Sequence, residues 1–337
     1  MRFRHVTASI AGFIAAVGIL VVLATLVGTD DLLSAIARSR EQYVALVGAA
    51  IITWLCCWGL ALGVVMSAVG TSIPPGEAIL INAGTAFANH VTPFGQAGGE
   101  TLGAWLLADT SGENFERCLA AMTSFDTINV VPSLTFASVG LAYYASITRL
   151  NGRLSLLPVA LVTFVGGFVV IVGFVLRRSD ATETLLHRVT TPLIRVTTRI
   201  LPGIKERGVE AIEHQISGFM DGIRRVSHDR NRLALALGLS TLGWGSQAVG
   251  LWTAFYALSA PIPVYVPLFV LPLGAVASVL PTPGGLGGIE AVQIALLVAA
   301  TAVAPPTIAA AVAISSVGGY FLTTTLGAGA IAVLKLR

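Results

Sequence analysis

Charged positions are scarce along most of the chain, and the apolar blocks between them are long. Six blocks are long enough to cross a bilayer as helices: Ser9–Gly28, Tyr43–Val69, Leu119–Ala145, Leu154–Leu176, Leu233–Leu258 and Thr307–Leu334. Between the second and third the pattern breaks. Ala78–Asn89 is apolar, His90–Gly99 interrupts it with Pro and Gly, and Thr101–Ala108 is apolar again. Arms of this length make about 12–18 Å of helix against a hydrocarbon core of about 30 Å. Neither crosses alone, so the region reads as a re-entrant hairpin of two half-helices. Such a broken backbone is tolerated at depth only where protein or a wet cavity surrounds it.

A second break lies between Val264–Leu280 and Ile289–Ala304, with its tip at Pro281–Gly288. These arms are longer, so two full spans joined by a tight turn stay open as an alternative. The tips themselves favour a second hairpin, because they repeat one another. Thr92-Pro93-Phe94-Gly95-Gln96-Ala97-Gly98-Gly99-Glu100 and Thr282-Pro283-Gly284-Gly285-Leu286-Gly287-Gly288-Ile289-Glu290 both fit T-P-x-G-x-x-G-x-E. The same offset carries Tyr43–Val69 onto the fifth block, with Trp54 on Trp244 and Gly48 on Gly238, and Leu119–Ser146 onto the last. The expected fold is therefore all-α and polytopic, with six full transmembrane helices and two re-entrant hairpins. It forms one membrane domain over 1–337, with repeats at 43–146 and 233–336.

Composition agrees: 55% of residues are hydrophobic and 11% charged, a balance that a soluble domain of this length does not tolerate on its surface. Charge placement adds orientation. Residues 177–232 hold 11 of the 20 Lys and Arg, interleaved with acids; Arg2, Arg4, Lys335 and Arg337 mark the ends. The positive-inside tendency puts all three regions on the cytoplasmic side of the cell membrane, and the first block reads as a retained helix. Counting spans from there, the first hairpin enters from the cytoplasm and the second from outside, so the repeats are inverted. Within 177–232, Leu185, Val189, Leu193 and Val196, then Val209, Ile212, Ile216 and Phe219, recur at helical spacing. They predict cytoplasmic amphipathic helices lying on the inner leaflet or on the bundle. The interleaved acids and the lack of an aromatic platform argue against nucleic acid as a partner.

The chemistry inside the apolar segments is sparse. Glu100, Glu290 and Asp126 are the only acids there, and no Lys or Arg accompanies them. A carboxylate in hydrocarbon costs roughly 2.5–3.5 kcal/mol on insertion scales, so each is expected to serve a site or a structure. One reading has Glu100 and Glu290 approach the centre from opposite hairpins and line a polar cavity with His90, Asn89, Gln96 and Asp126. Asn129 shares a helix face with Asp126. The competing reading has each glutamate cap its half-helix by accepting backbone N–H groups. Ser316 stands at the place of Asp126 in the second repeat, so the halves differ chemically. Tip residues Thr92, Pro93, Gly95, Gly98, Gly99, Pro281, Thr282, Pro283, Gly284, Gly285, Gly287 and Gly288 let two tips meet near the midplane and expose backbone N–H groups to an anion. Trp54, Trp105, Trp244 and Trp252 read as interface or packing aromatics.

No catalytic residue, metal or cofactor is expected. H-E-x-x-H is absent, no G-x-S-x-G lies at a membrane segment, and the five histidines assemble no metal site. Cys56, Cys57 and Cys118 read as small hydrophobes in helices. These features leave a lipid translocator, an ion-coupled transporter of a small solute, and a non-catalytic membrane subunit of a lipid-modifying or glycosyltransferase system.

The run P-x-x-G-G-L-G-x-x-E at Pro281–Glu290, preceded by N-H-x-T-P-x-G-x-x-G-G-E at Asn89–Glu100, resembles the transmembrane family of lysylphosphatidylglycerol synthases. That family includes stand-alone flippase-like membrane proteins, and the resemblance covers nearly the whole chain. It implies movement of a polar-headed lipid, a phospholipid or a polyprenyl-linked lipid, between leaflets. Membrane lipids are then the partners, with a homo-oligomer or a separate lipid-modifying enzyme as further ones. The sequence carries no soluble aminoacyltransferase or glycosyltransferase domain, so the synthetic activity is not implied.

Overall fold

The computed structural model describes residues 30, 34, 36–68, 70–92, 96–148, 229–279 and 282–336. Every regular element among them is helical. In chain order they are α1 (Glu41–Ala68), α2 (Pro75–Val91), α3 (Gln96–Ser111), α4 (Phe115–Ile147), α5 (Arg230–Ala257), α6 (Tyr265–Ala275), α7 (Gly288–Ala300), α8 (Pro305–Val312) and α9 (Gly318–Lys335). A 3-10 turn, Val276–Val279, extends α6, and a π-helical turn, Ala313–Val317, joins α8 to α9. The predicted spans Ser9–Gly28 and Leu154–Leu176, the amphipathic segments between 180 and 228, and Pro93, Gly95 and Pro281 lie outside the described residues.

Glu41–Ala68, Phe115–Ile147 and Pro305–Lys335 are long and apolar enough to cross a membrane. α5 is as long as α1, at 28 residues, but carries more polar positions, among them Ser240, Thr241, Gln247 and Thr253. Asp229 starts it by accepting from the Asn231 and Arg232 N–H groups at 3.1 Å each. The outer surface is greasy: Leu242 is 61% exposed and Phe321 67%. An apolar exterior of this kind is what a lipid-facing bundle presents and what a soluble one avoids.

The hairpin arms differ from the sequence expectation in length. α2 and α3 outrun the apolar stretches Ala78–Asn89 and Thr101–Ala108 because helix ends follow backbone signals rather than apolarity. Pro75 occupies the first turn, where its missing N–H costs nothing, and Gly112 at φ +71 ends α3. In the second hairpin the arms come out shorter than drawn. α6 has 11 residues before its 3-10 turn, and α7 has 13, about 20 Å, before extended Thr301 and the prolines that follow. Neither helix has the roughly 20 residues of a typical span.

α1 and α5, which the motif offset carries onto one another in the sequence, pack antiparallel along their whole length. Tyr43 meets Tyr256 with ring centroids 5.9 Å apart, and Trp58 meets Trp244 at 5.8 Å. Ala50 lies against Gly250, and the Arg232 guanidinium donates to the Ser67 carbonyl. The hairpins attach at opposite ends of this pair. Ile81, Leu106 and Leu107 of the first share a core with Leu62, Val65, Met66 and Met122. Phe269, Val270 and Leu297 of the second share another with Val47, Ile51, Leu251 and Phe255. Partners are exchanged between repeats: α2 packs on α9, and α6 packs on α4.

The two outer ends are fastened differently. At the first, the Thr71 hydroxyl donates to Glu113 at 2.6 Å and Arg117 Nη1 lies 2.8 Å from its other oxygen. These bonds, the Thr71 hydroxyl first, hold the Glu113 carboxyl below the usual carboxylate range. At the second, the Trp252 indole donates to the Ile262 carbonyl at 2.9 Å, and Tyr143 and Tyr265 pack at 4.9 Å.

Candidate functional site

The second tip is a compact turn made by glycines in the left-handed region: Gly284, Gly285 and Gly287 have φ of 64°, 71° and 86°. α7 starts immediately after it, so Glu290 falls in its first turn. One Glu290 oxygen accepts the Gly287 N–H at 2.5 Å, and the other accepts the Ser316 hydroxyl from the π-helical turn. The side chain is 4% exposed, with both oxygens taken. Its carboxyl sits at the N-terminal end of α7, where backbone N–H groups are exposed.

The first tip uses the same motif differently. α3 starts at Gln96, so Glu100 lies beyond the first turn and its carboxyl meets Asp126 of α4 instead. Asp126 and Ser316 occupy equivalent places in the repeat, so each hairpin glutamate reaches the equivalent position of its own repeat's last helix. Ionised carboxylates only accept hydrogen bonds, so two carboxyls in contact need a proton between them. Asp126 Oδ2 is buried without a partner. Within this hairpin the arms close tightly: a Cβ at Gly99 would overlap the Asn89 side chain and come within 2.9 Å of the Thr85 carbonyl.

The two tips touch. A Cβ on Gly284 would lie 2.8 Å from His90 Cδ2. His90 is held by the second repeat: its Nδ1 is 2.9 Å from Thr324 Oγ1, its ring stacks on Tyr320 at 4.0 Å, and the Tyr320 hydroxyl donates to its carbonyl at 2.9 Å. Beside this contact lies a cleft whose lining includes Ile51, His90, Leu251, Glu290 and Tyr320.

The predicted site residues are thus divided. His90 and Glu290 line the cleft. Glu100 and Asp126 form a separate pair, and Asn89 sits between the arms of the first hairpin. Asn129 faces α5, accepting from the Ser240 hydroxyl at 2.5 Å, while its own carbonyl accepts from the Trp244 indole at 3.1 Å. The backbone of Gln96 opens α3.

Among the lining residues that the sequence reading did not assign to a site are Trp54, Trp244, Gln247 and Gln293. A signal existed, since Gln247 and Gln293 each fall three positions after a noted residue, Trp244 and Glu290, and so share its helix face. Trp54 Nε1, Gln247 Nε2 and Gln293 Oε1 are buried without partners. Among the described residues no cluster of His, Cys, Asp and Glu could hold a metal.

Residues 9–327 match the family described as the lysylphosphatidylglycerol synthase TM region, and the chain belongs to it. Relatives are similar over most of their length. A UPF0104 membrane protein of Methanothermobacter thermautotrophicus is 27% identical over 330 residues, covering 94% of this chain and 91% of that one. A second from the same organism is 24% identical over 247 residues, 72% and 71% of the two chains. One from Pyrococcus horikoshii is 24% identical over 219 residues, 63% and 64%.

Proposed function

Given a membrane family named for lipid headgroup chemistry, we propose that this protein is a lipid translocator, not an enzyme. It carries a polar-headed phospholipid or polyprenyl-linked lipid between leaflets of the cell membrane by alternating access. The observation that carries the reading is the meeting of two short hairpins from opposite ends of an antiparallel helix pair, beside a largely apolar cleft that His90 and Glu290 also line. Equivalent helices that run antiparallel are related by a twofold lying across them, which in a membrane lies in its plane. Inverted repeats of this kind are the architecture of alternating access. Arms of about 16–26 Å fall short of the hydrocarbon thickness, in keeping with re-entrant hairpins. Both termini and the loop 177–232 are then cytoplasmic, and the first hairpin enters from that side. The Glu100–Asp126 pair supplies a proton site to drive the cycle.

Reconstitution into liposomes carrying a headgroup-labelled lipid tests this directly. The protein is expected to raise the fraction of label that a membrane-impermeant quencher reaches. A fraction unchanged from protein-free liposomes, across acidic, zwitterionic and glycosyl headgroups, would refute it.

A further inference from the structure

Each hairpin sits in its own core, and among the described residues four helical tracks pass from one core to the other. α1 and α5 run through without interruption, and neither contains proline. They rest on each other: Gly243 and Gly250 of α5 seat Trp58 and Ala50 of α1. α4 and the α8–α9 track, which the motif offset also carries onto one another, are each broken on the way. α4 gives Met122, Phe125 and Ile128 to the first core. Farther along, its Gly140 lies against the second hairpin, where a Cβ would come 3.0 Å from the Phe269 backbone nitrogen. Pro132 stands between these contacts. It has no N–H to offer the Ile128 carbonyl, its partner in a regular helix. The next carbonyl, that of Asn129, accepts the Trp244 indole at 3.1 Å. α8 gives Ile308, Ala311 and Val312 to the second core, whereas Ile331 and Leu334 of α9 pack on the first. The π-helical turn Ala313–Val317 lies between, and Leu322, just past it, still packs on the second core. In that turn the Gly318 N–H reaches back five residues to the Ala313 carbonyl. The Ser315 hydroxyl donates to the Ala311 carbonyl at 2.9 Å, a bond that itself bends helices. A helix proline and a π-turn are both recognised causes of bending.

We propose that Pro132 and the turn Ala313–Val317 are joints on which the two hairpin cores move against a rigid α1–α5 spine. The tips belong to different cores, so this movement parts His90 from Gly284. Ser316 lies inside the second joint, and bending there carries its hydroxyl off Glu290. Asp126 lies before Pro132 and stays with Glu100 and the first core. The inference rests on the translocator reading and supplies the motion that alternating access requires.

Paired spin labels measure the motion in the full chain in lipid nanodiscs, with Cys56, Cys57 and Cys118 replaced by alanine. Labels at Val139 and Val333, exposed positions beside different cores, should give two separations. Labels at Phe115 and Val333, both beside the first core, should give one. Pro132→Ala restores the helical donor. Deletion of Ala313 removes the residue that a π-turn adds to an α-helix and keeps Ser316 in step with α9. Each change should reduce the Val139–Val333 pair to one separation and slow translocation about tenfold, with melting close to wild type. Pro272→Ala removes a helix proline that lies inside the second core and should leave both readings unchanged. Melting curves identify a variant that has lost its fold, and the other then carries the test. Two separations kept in the folded joint variants overturn the proposal, as does an equal loss in Pro272→Ala. Two separations without translocation of any labelled lipid would sink the translocator and leave the joints. Translocation with a single separation would sink the joints and leave the translocator.

Discussion

Glu100 and Glu290 end the same nine-residue motif, yet they do different work. Glu290 fastens its own hairpin: it receives the backbone of the turn with one oxygen and Ser316 of the last helix with the other. Glu100 lies four residues into its helix, where Glu290 lies two residues into its own, and it meets a second carboxyl. The two copies of the motif thus share position and contact, while the facing helix offers Asp to one and Ser to the other: hydrogen bonds lock Glu290, and the proton site proposed above falls on the Glu100–Asp126 pair. Two copies of a motif are evidence of shared geometry before they are evidence of shared chemistry.

The sharpest way to break this comparison is Glu290→Ala. It strands the buried Gly287 N–H and the Ser316 hydroxyl and is expected to cost about 2–4 kcal/mol. Melting of the protein in nanodiscs measures it. Glu290→Gln should melt close to wild type, because the amide oxygen accepts from Gly287 and the serine hydroxyl can reverse to accept from the amide. A benign alanine would remove the distinction between the two glutamates.

Gly284→Ala comes next. Left-handed backbone costs a residue with a Cβ roughly 1–2 kcal/mol, and here the methyl also presses on His90. Translocation should fall with stability because the tips no longer seat. Full activity would mean that tip contact is incidental.

Glu100→Gln separates the two roles most cleanly. Stability should stay within about 0.5 kcal/mol, while translocation drops about tenfold, near 1.4 kcal/mol of barrier, and loses its dependence on pH. Asp126→Ser, which gives the first repeat the partner of the second, should reproduce the flat pH profile. A profile unchanged in both variants would strip the pair of its proton role.

The smallest effect is at the outer end of the first hairpin. The folded state holds the Glu113 carboxyl below its ordinary range, so its contribution is present at neutral pH and is lost as pH falls through that lowered value. The melting difference between wild type and Glu113→Gln should therefore close on acidification. A difference constant with pH would assign it to packing. No such titration is expected at the second outer end, which is fastened by Trp252 and the tyrosines.

Much of this frame was legible because it rests on residue types with few alternatives. Left-handed turns require glycine, which is why the second tip could be placed from Gly284, Gly285 and Gly287 before any coordinates. The repeat offset located Ser316 opposite Asp126, and the structure puts both against their glutamates. Other features depended on where a helix starts, which sequence fixes poorly. A start at Gln96 in one copy and Gly288 in the other separates a paired carboxyl from a cap, and the motif alone is silent on it. Trp54 and Trp244 read as packing aromatics because an indole in an apolar block serves either purpose. Only the antiparallel seating of α1 on α5 brings them to one cleft with Gln247 and Gln293.

The exchange of partners between the repeats has a consequence for how the chain is made. The first hairpin is covered by α9, which leaves the ribosome long after it. On the re-entrant reading proposed above, the tip between α2 and α3 lacks until then the protein that shields it from hydrocarbon. The nascent chain then carries an unfinished half-depth loop through the synthesis of α4 to α8. Truncation before α9 should unseat this early hairpin while sparing the α1–α5 pair, so a lesion in one helix is felt in another far from it in sequence.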